Sequence, residues 1–284
     1  MFTYKNLLDD PLANDLLTKQ VMQEGYCKIA SVLGQGEVKK YRKSIDKIHT
    51  IETKREKQGH RDKDYDYNYY NFSGTHYYNS PRRYRIFDPI ISHPFVIDLL
   101  ENIMGCPCIL SQTELRRPTH KKDDDGAHTF HRDGRVIVDA DFWMIVFWLM
   151  DEVTENNGPT IIIPKTHRHD QGDRQEEKPQ VKLTGNSGDI VIMNSNLLHK
   201  ASRNEDGKSR WLFIPTYNPW FIKPSIDYTK VFTKQQFDQL TEKQKQIFGF
   251  TSIVPHDETK RFYTLRPWEE QIDEIEFRKK PYPL

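Results

Sequence analysis

Cysteine is scarce in this sequence, which has only Cys27, Cys106 and Cys108 among 284 residues. A small and odd number of cysteines excludes a dense disulfide framework and suits a reducing compartment, so we expect a cytoplasmic protein. Cys106 and Cys108 lack the second cysteine pair that a structural zinc site needs. A tight Gly-Cys-Pro-Cys turn explains the two residues more simply.

Long apolar runs and an excess of charge are also missing. The longest apolar stretch, Phe142–Met150, is about half of the ~18 residues that a membrane span requires, and the first residues do not have the order of a secretory signal. The formal net charge of +1 does not match the strongly positive field of a nucleic-acid binder. We therefore expect no nucleic-acid or membrane partner, and we leave a homo-oligomer open.

Helical patterns come first along the chain, and short strands follow. Residues 14–48 predict helices around the strand Tyr26–Val32, and a further helix is predicted at His93–Ile103, capped by Ser92 and with Pro94 in its first turn. This order favours a mainly β fold with flanking helices, either a sandwich or a jelly roll. The later predicted elements are the strands Ile109–Leu115, Val136–Val138, Phe142–Met150, Thr160–Ile163, Ile190–Met193 and Arg210–Thr216, and helices within Thr233–Phe248.

The length of the chain allows a single domain. We expect a helical layer at about residues 1–50, a jelly-roll core at about 86–220 and a C-terminal helical segment at about 230–284. Residues 50–85 carry seven tyrosines and many charges, and a long polar segment of this kind is often a lid or an insertion. A tyrosine-rich surface loop without a role explains the same composition equally well.

A triplet of histidine and aspartate contains the strongest functional signal. In an extended segment, residues i and i+2 point to the same side, so His131 and Asp133 can direct an imidazole and a carboxylate at one point. His199 lies 68 residues later (199 − 131 = 68) and can add a second imidazole. Two histidines and one carboxylate form the ligand set of non-haem iron(II) oxygenases. His128 is a weaker candidate, because its spacing of three from His131 faces the opposite side of a strand.

Arg210 follows His199 after eleven residues (210 − 199 = 11) and opens a predicted strand. A guanidinium at that place can bind a carboxylate through two parallel hydrogen bonds. His167 and Asp189 are expected to be structural, with Asp189 shaping a turn. A basic group lies before the histidine and aspartate triplet. A solvated loop is its favoured interpretation, and contact with an acidic substrate is the alternative. The group consists of Arg116, Arg117, His120, Lys121 and Lys122.

Five segments together resemble the phytanoyl-CoA dioxygenase family. They are EGYCKIASVL (residues 24–33), HRD (131–133), NGPTIIIPKTHR (157–168), GDIVIMNSNLLHKASRNEDGKSRW (188–211) and LTEKQKQIFGF (240–250). The resemblance implies a double-stranded β-helix (a cupin-like jelly roll) forming a single oxygenase domain, and an enzyme that uses Fe(II), 2-oxoglutarate and O2. It implies that the metal ligands and catalytic residues are His131, Asp133 and His199, and that Arg210 binds the cosubstrate.

The resemblance also implies an activity: hydroxylation of an aliphatic C–H of a small molecule, with release of succinate and CO2. The carboxylate of Asp133 argues against halogenation, since related halogenases have a small residue there. Gln112 falls near a polar position that can face 2-oxoglutarate. Relatives often have Ser or Thr two residues after the distal histidine, where this chain has Ala201, so Ser202 is the neighbouring candidate. The alternatives are a non-redox metal-dependent cupin-type enzyme and a binding protein on a degenerate oxygenase scaffold.

Overall fold

The longest apolar run of the sequence forms a central strand. In the computed structural model, the strand Met144–Leu149 (β6) is buried at each of its positions. It pairs antiparallel with Ile190–Asn194 (β9), so that Trp148 lies opposite Ile190. Because successive side chains point to opposite faces of a sheet, a strand that is buried throughout needs cover on both faces. The run of apolar residues predicted this correctly.

The structure describes residues 2–8, 10, 12–57, 70–71, 74–78, 84–118, 129–134, 139–168, 178–260 and 265–282. Several expectations fall outside these ranges. They are the predicted strand Val136–Val138, the candidate His128, the basic group beyond residue 118 and much of the tyrosine-rich segment.

Within the described ranges, helices flank the strands on both sides along the chain. The helices are α1 (Tyr4–Leu8), α2 (Ala13–Glu24), α3 (Gln35–Lys57), α4 (Asp88–Ile91), α5 (Pro94–Met104), α6 (Lys234–Asp238) and α7 (Glu242–Ile247). The other strands are β1 (Phe2–Thr3), β2 (Tyr26–Ala30), β3 (Tyr70–Asn71), β4 (Gly74–Tyr78), β5 (Cys108–Arg117), β7 (Thr160–Ile162), β8 (Val181–Leu183), β10 (His199–Lys200) and β11 (Leu212–Pro219).

The described strands form two sheets. The larger has the order β1-β2-β9-β6-β11-β5-β4-β3, and the smaller has the order β10-β7-β8. Apolar side chains from both sheets share one buried core, which is the packing expected of a jelly roll. The fold is therefore mainly β with flanking helices, as predicted. This core contains Ile145, Phe147, Leu149, Val153, Ile162, Leu183, Val191, Met193, Leu197, Leu212 and Ile214.

Contacts between residues divide the chain into two compact units. One consists of Met1–Tyr78 and Glu114–Ile214, and the other of Asn79–Thr113 and Pro215–Leu284, so two of the three boundaries fall within β5 and β11 and the third follows β4. The first unit contains the core shared by the two sheets. The second has a core of packed aromatic rings, among them Phe232, Phe237, Phe248 and Phe250.

One predicted detail of the helices is wrong. Ser92 does not cap α5; its hydroxyl donates to the carbonyl of Asp88 at 2.9 Å and ends α4 instead, and His93 precedes α5 without a side-chain cap. The helices predicted within Thr233–Phe248 are confirmed: there are two short ones, because Thr233 and Thr241 each form a capping box and so each start a helix. Pro94 lies in the first turn of α5, as predicted.

The described parts of residues 50–85 are mostly regular. Residues 51–57 continue α3, and β3 and β4 form a hairpin that adds to the larger sheet beside β5. These parts extend the neighbouring elements. A lid formed by the rest of the segment stays a prediction.

Over the described residues, no helix is both long enough and apolar enough to cross a bilayer.

The Gly-Asp turn before β9 generates a test of stability. Asp189 is buried, and its carboxylate accepts from the backbone N–H groups of Ser31 at 2.9 Å and Asn186 at 3.0 Å. Asp189→Ala leaves both donors without this acceptor, so we expect the free energy of unfolding to fall by about 2–3 kcal/mol. Urea denaturation measures this change.

Asp238→Ala is the matched control, because Asp238 is exposed and pairs with Lys234 on the surface of α6. Its effect on the free energy of unfolding should stay below about 0.5 kcal/mol. Equal denaturation midpoints for the two variants would contradict the structural role of Asp189.

Candidate metal centre

One antiparallel backbone contact brings the two candidate histidines together. The N–H of His131 donates to the carbonyl of His199 at 2.9 Å, and the N–H of His199 donates to the carbonyl of His131 at 3.0 Å. Two residues that exchange both hydrogen bonds lie directly opposite each other, with side chains on the same face. Their ring centroids are 4.4 Å apart. Asp133 follows two residues later, and its N–H donates to the carbonyl of Ser195 at 2.9 Å.

The candidate ligand atoms of these three side chains converge. Asp133 Oδ1 lies 3.7 Å from His131 Nε2, and Asp133 Oδ2 lies 3.3 Å from His199 Nε2. One ligand atom from each residue lies within 4.8 Å of the other two. Three ligands on one face of an octahedral ion, each about 2.1 Å from it, would be about 3 Å apart. The arrangement therefore fits a divalent cation with a small adjustment of the side chains.

Backbone carbonyls fix the orientation of both imidazole rings. Nδ1 of His131 lies 3.1 Å from the carbonyl of Thr129, and Nδ1 of His199 lies 2.9 Å from the carbonyl of Leu197. A carbonyl only accepts, so each Nδ1 carries a proton, which leaves Nε2 as the nitrogen that can bind a metal. This is the tautomer that a metal-binding histidine needs, with the second nitrogen held by an outer partner.

The three side chains differ in exposure. The side chain of His199 is 9% exposed, while those of His131 and Asp133 are 49% and 51% exposed. Desolvation opposes ionisation of Asp133, but the hydrogen bond and charge of His199, followed by His131 and Arg116, hold its carboxyl pKa below the ordinary value. The centre therefore combines an ionised carboxylate with two histidines and is open to a second molecule on one side.

The turn after β7 forms hydrogen bonds with both chain segments that carry the candidate ligands. The carbonyl of Thr166 accepts from Arg132 Nη2 at 2.9 Å, and the hydroxyl of Thr166 accepts from the N–H of Leu198 at 2.9 Å. His167, in the same turn, is buried and directs Nε2 to the carbonyl of Met22 at 3.2 Å. His167 thus links α2 to the turn, and it lies outside the group of converging ligands.

Arg210 is a buried cation that lacks an acidic partner within the described part of the chain. It is 2% exposed, Nη2 donates to the carbonyl of Gly158, and Nε has no hydrogen bond. Burial, followed by the positive charge of Arg116, lowers the pKa of Arg210 to about 9. Because an arginine stays protonated even at that value near neutral pH, the site contains an uncompensated positive charge. Such a site favours an anionic ligand.

The position of Arg116 in a strand was not predicted from the sequence. The residue was grouped with a solvated loop, yet it lies in β5 and is half-buried. Along a strand, every second residue shares a face, so Gln112 lies on the same face as Arg116. The charge of Arg116 acts on both Asp133 and Arg210. The alternation of polar residues at 112, 114 and 116 is the signal that could have identified this face.

Ser202 is tied to the turn that also contacts Arg210. Its hydroxyl donates to the carbonyl of Pro159 at 2.6 Å. Gly158, next in that turn, has a φ of +89°, and a Cβ there would lie 3.1 Å from the Ser202 carbonyl and from the Pro118 ring. The hydroxyl of Ser202 therefore fixes the turn that supplies the carbonyl for Arg210. A direct contact of Ser202 or Gln112 with a cosubstrate stays a prediction.

Known proteins share this sequence pattern and this fold. The sequence model of the phytanoyl-CoA dioxygenase family matches residues 21–211. Among curated proteins, "Dioxygenase af480" of Aspergillus fumigatus is 22% identical over 176 residues, which are 58% of this chain and 55% of that protein. The match thus spans about half of the length of that relative.

Solved structures show the same architecture. The non-haem alpha-ketoglutarate-dependent epimerase SnoN from nogalamycin biosynthesis has a TM-score of 0.61 at 18% identity, covering 76% of this chain and 87% of its own. HygX from Streptomyces hygroscopicus, solved with nickel and 2-oxoglutarate bound, has a TM-score of 0.57 at 15% identity, covering 74% and 88%. At these identities the similarity establishes the jelly-roll fold.

Gly134 generates a test of the packing around the centre. Its N–H donates to the carbonyl of Ser195 at 3.1 Å, and a Cβ at this position would overlap the amide oxygen of the buried Asn196. Gly134→Ala should therefore lower the free energy of unfolding by about 1–3 kcal/mol, as overpacking does elsewhere. Guanidinium denaturation measures this.

Gly36→Ala is the control, since nothing lies within 4 Å of a Cβ at Gly36, in the first turn of α3. Alanine is the better helix former, so the control should be unchanged or slightly more stable. A Gly134→Ala protein as stable as the control would show that Asn196 yields without cost.

Proposed function

Because the chain belongs to the phytanoyl-CoA dioxygenase family, we propose that it is an Fe(II)- and 2-oxoglutarate-dependent dioxygenase. The proposed reaction hydroxylates an aliphatic C–H of a small molecule with O2 and releases succinate and CO2. One observation supports this most directly: the unit that holds three converging ligands also holds a buried arginine with no acid beside it in the described residues.

The proposed metal ligands are Nε2 of His131, Nε2 of His199 and a carboxylate oxygen of Asp133. Three ligands on one face leave three of six coordination positions open, which suits a metal that must bind a cosubstrate and O2. When bound, the iron supplies the oxidation of the C–H bond, coupled to decarboxylation of the 2-oxo acid. Asp133 adds a negative charge to the centre and fills the position that a halide would need.

Two arginines match the two carboxylates of 2-oxoglutarate. Arg210 lies in the interior and presents a planar fork that can bind one carboxylate bidentately, where the low dielectric strengthens the contact. Arg116 adds a second positive charge near Asp133, which suits the carboxylate at the other end. Gln112, on the same face of β5, and Ser202 are proposed as further polar contacts. The buried charge of Arg210 thereby gains the counterion that the described residues do not supply.

The protein's other contribution is positioning. The histidine tautomers are set before the metal binds, because both Nδ1–H groups already donate to backbone carbonyls. His131 and Asp133 are half-exposed, which gives a substrate access to the centre, whereas His199 is buried. A preorganised centre of this kind lowers the cost of ordering the ligands during the reaction.

A spectroscopic experiment tests the proposal. Anaerobic protein with Fe(II) and 2-oxoglutarate should show the weak visible charge-transfer band of the chelate. His131→Ala should abolish the band, because one of three ligands is lost. Arg210→Lys should keep the metal but raise the dissociation constant for 2-oxoglutarate about 10- to 100-fold, because lysine keeps the charge and loses the bidentate fork.

His256→Ala is the control for histidine removal, since His256 is exposed and lies in the other unit. It should leave the band unchanged. Bound metal without a band would favour a non-redox cupin-type enzyme, and no bound metal would favour a degenerate scaffold. With the band in place, succinate release and product analysis over a substrate panel distinguish hydroxylation from an epimerisation such as the one named for SnoN.

A further inference from the structure

A single turn between β9 and β10 supports all three proposed ligands. The carbonyl of Ser195 accepts from the N–H of Asp133 at 2.9 Å, and the carbonyl of Leu197 accepts from Nδ1 of His199 at 2.9 Å. His131 is then placed by its backbone exchange with His199. The shape of the turn Asn194–Leu197 therefore sets where the three ligands meet.

The side chain of Asn194 defines the shape of this turn. Its Oδ1 accepts from the N–H of Asn196 at 2.8 Å, and its backbone carbonyl accepts from the N–H of Leu197 at 3.0 Å. Side-chain bonds of this type give asparagine its preference for turns. Its Nδ2 donates to Asp141 Oδ1 at 2.6 Å. Because Asn194 is buried and bonded at both ends of its amide, its side chain has one orientation.

Asp141 is itself held by an ion pair with an arginine. Its second oxygen, Oδ2, accepts from Arg168 Nη2 at 2.9 Å. Asp141 is buried, while Arg168 is partly exposed. The result is a continuous chain of polar contacts from Arg168 through Asp141 to Asn194, and from there to the turn. Each group in this chain has a partner of the opposite kind, so the network can act as one rigid support.

We propose that Asn194, Asp141 and Arg168 are positioning residues for the metal centre. None of them supplies a ligand atom, and the inference rests on the proposed function only in that His131, Asp133 and His199 bind the metal. A metal centre needs its ligands within about 0.5 Å of the productive geometry. Outer partners that orient ligands are typically worth 10- to 100-fold in metal affinity.

Removing the donor of the hydrogen bond between Asn194 and Asp141 tests the role of the network. Asn194→Asp places two carboxylates at the 2.6 Å contact with Asp141, so the turn should shift. We expect the dissociation constant for Co(II), measured by calorimetry, to rise about 10- to 100-fold. The visible spectrum of the Co(II)-saturated protein should also change, because it reports the geometry of the ligands.

The double variant Asn194→Asp/Asp141→Asn should restore binding. The amide then lies at position 141 and the carboxylate at position 194, so the bond re-forms with donor and acceptor exchanged. The new carboxylate still accepts from the N–H of Asn196. We expect the Co(II) affinity to return to within about threefold of the wild type, which is the coupling that a double-mutant cycle measures.

Asn218→Ala is the matched control. Asn218 is also fully buried, and its Nδ2 donates to the carbonyls of Pro219 at 3.0 Å and Ile222 at 2.6 Å, in the other unit. It should lower the stability of the protein without changing Co(II) affinity. A general loss of stability is thereby separated from a loss of positioning.

The outcomes are distinct. Unchanged Co(II) affinity in Asn194→Asp, or no recovery in the double variant, would overturn the positioning role while leaving the metal centre intact. If Asn194→Asp does not fold, Arg168→Gln replaces it, with an expected several-fold loss of affinity and an unchanged circular dichroism spectrum; unchanged affinity in that variant overturns the proposal. A wild-type protein that binds no Co(II) would overturn the proposed function itself and this inference with it.

Discussion

The exchange of two hydrogen bonds between His131 and His199 is the contact on which the site depends. His199 is also paired with Ile162 of β7, so its position follows from the register of the smaller sheet. In the described residues, His131 is not part of a longer strand, and its pairing with His199 alone fixes its position. A slip of one residue would turn one of the imidazoles to the other face. The position of the proposed metal centre is therefore determined by strand pairing.

The contacts of Arg168 and Arg210, which lie in the same unit, show how an internally paired charge differs from one that is open to a ligand. Arg168 meets Asp141, whose other oxygen is bonded to Asn194, so this ion pair is satisfied within the protein. Arg210 Nη2 donates to the backbone carbonyl of Gly158, and its Nε has no hydrogen bond. Leaving a buried charge without a counterion costs several kcal/mol. The fold tolerates that cost at Arg210, which lies in the unit of the converging ligands, where a carboxylate of the proposed cosubstrate would remove it.

Local patterns predicted what depends on local chemistry. The apolar run around β6 and the pair His131 and Asp133 follow from periodicity and residue type. Ser92 was assigned to the wrong helix, because the sequence does not show that α4 ends immediately before α5. The support from Asn194 to Asp141 joins residues that are 53 positions apart. Such a contact exists only once β9 and the segment before β6 are packed, so no spacing in the sequence indicates it.

The irregular backbone after His131 suits the geometry that the proposed metal ligands need. In a regular strand, side chains at i and i+2 share a face but start about 6.6 Å apart, whereas ligands of one ion must approach to about 3 Å. The chain therefore leaves strand geometry after His131, so that Asp133 can approach both histidines. Gly134 lets the turn that contains Asn196 approach this segment closely, because the side chain of Asn196 occupies the space of a Cβ. A segment without ladder partners needs another support, and the turn held by Asn194 supplies it through the carbonyl of Ser195.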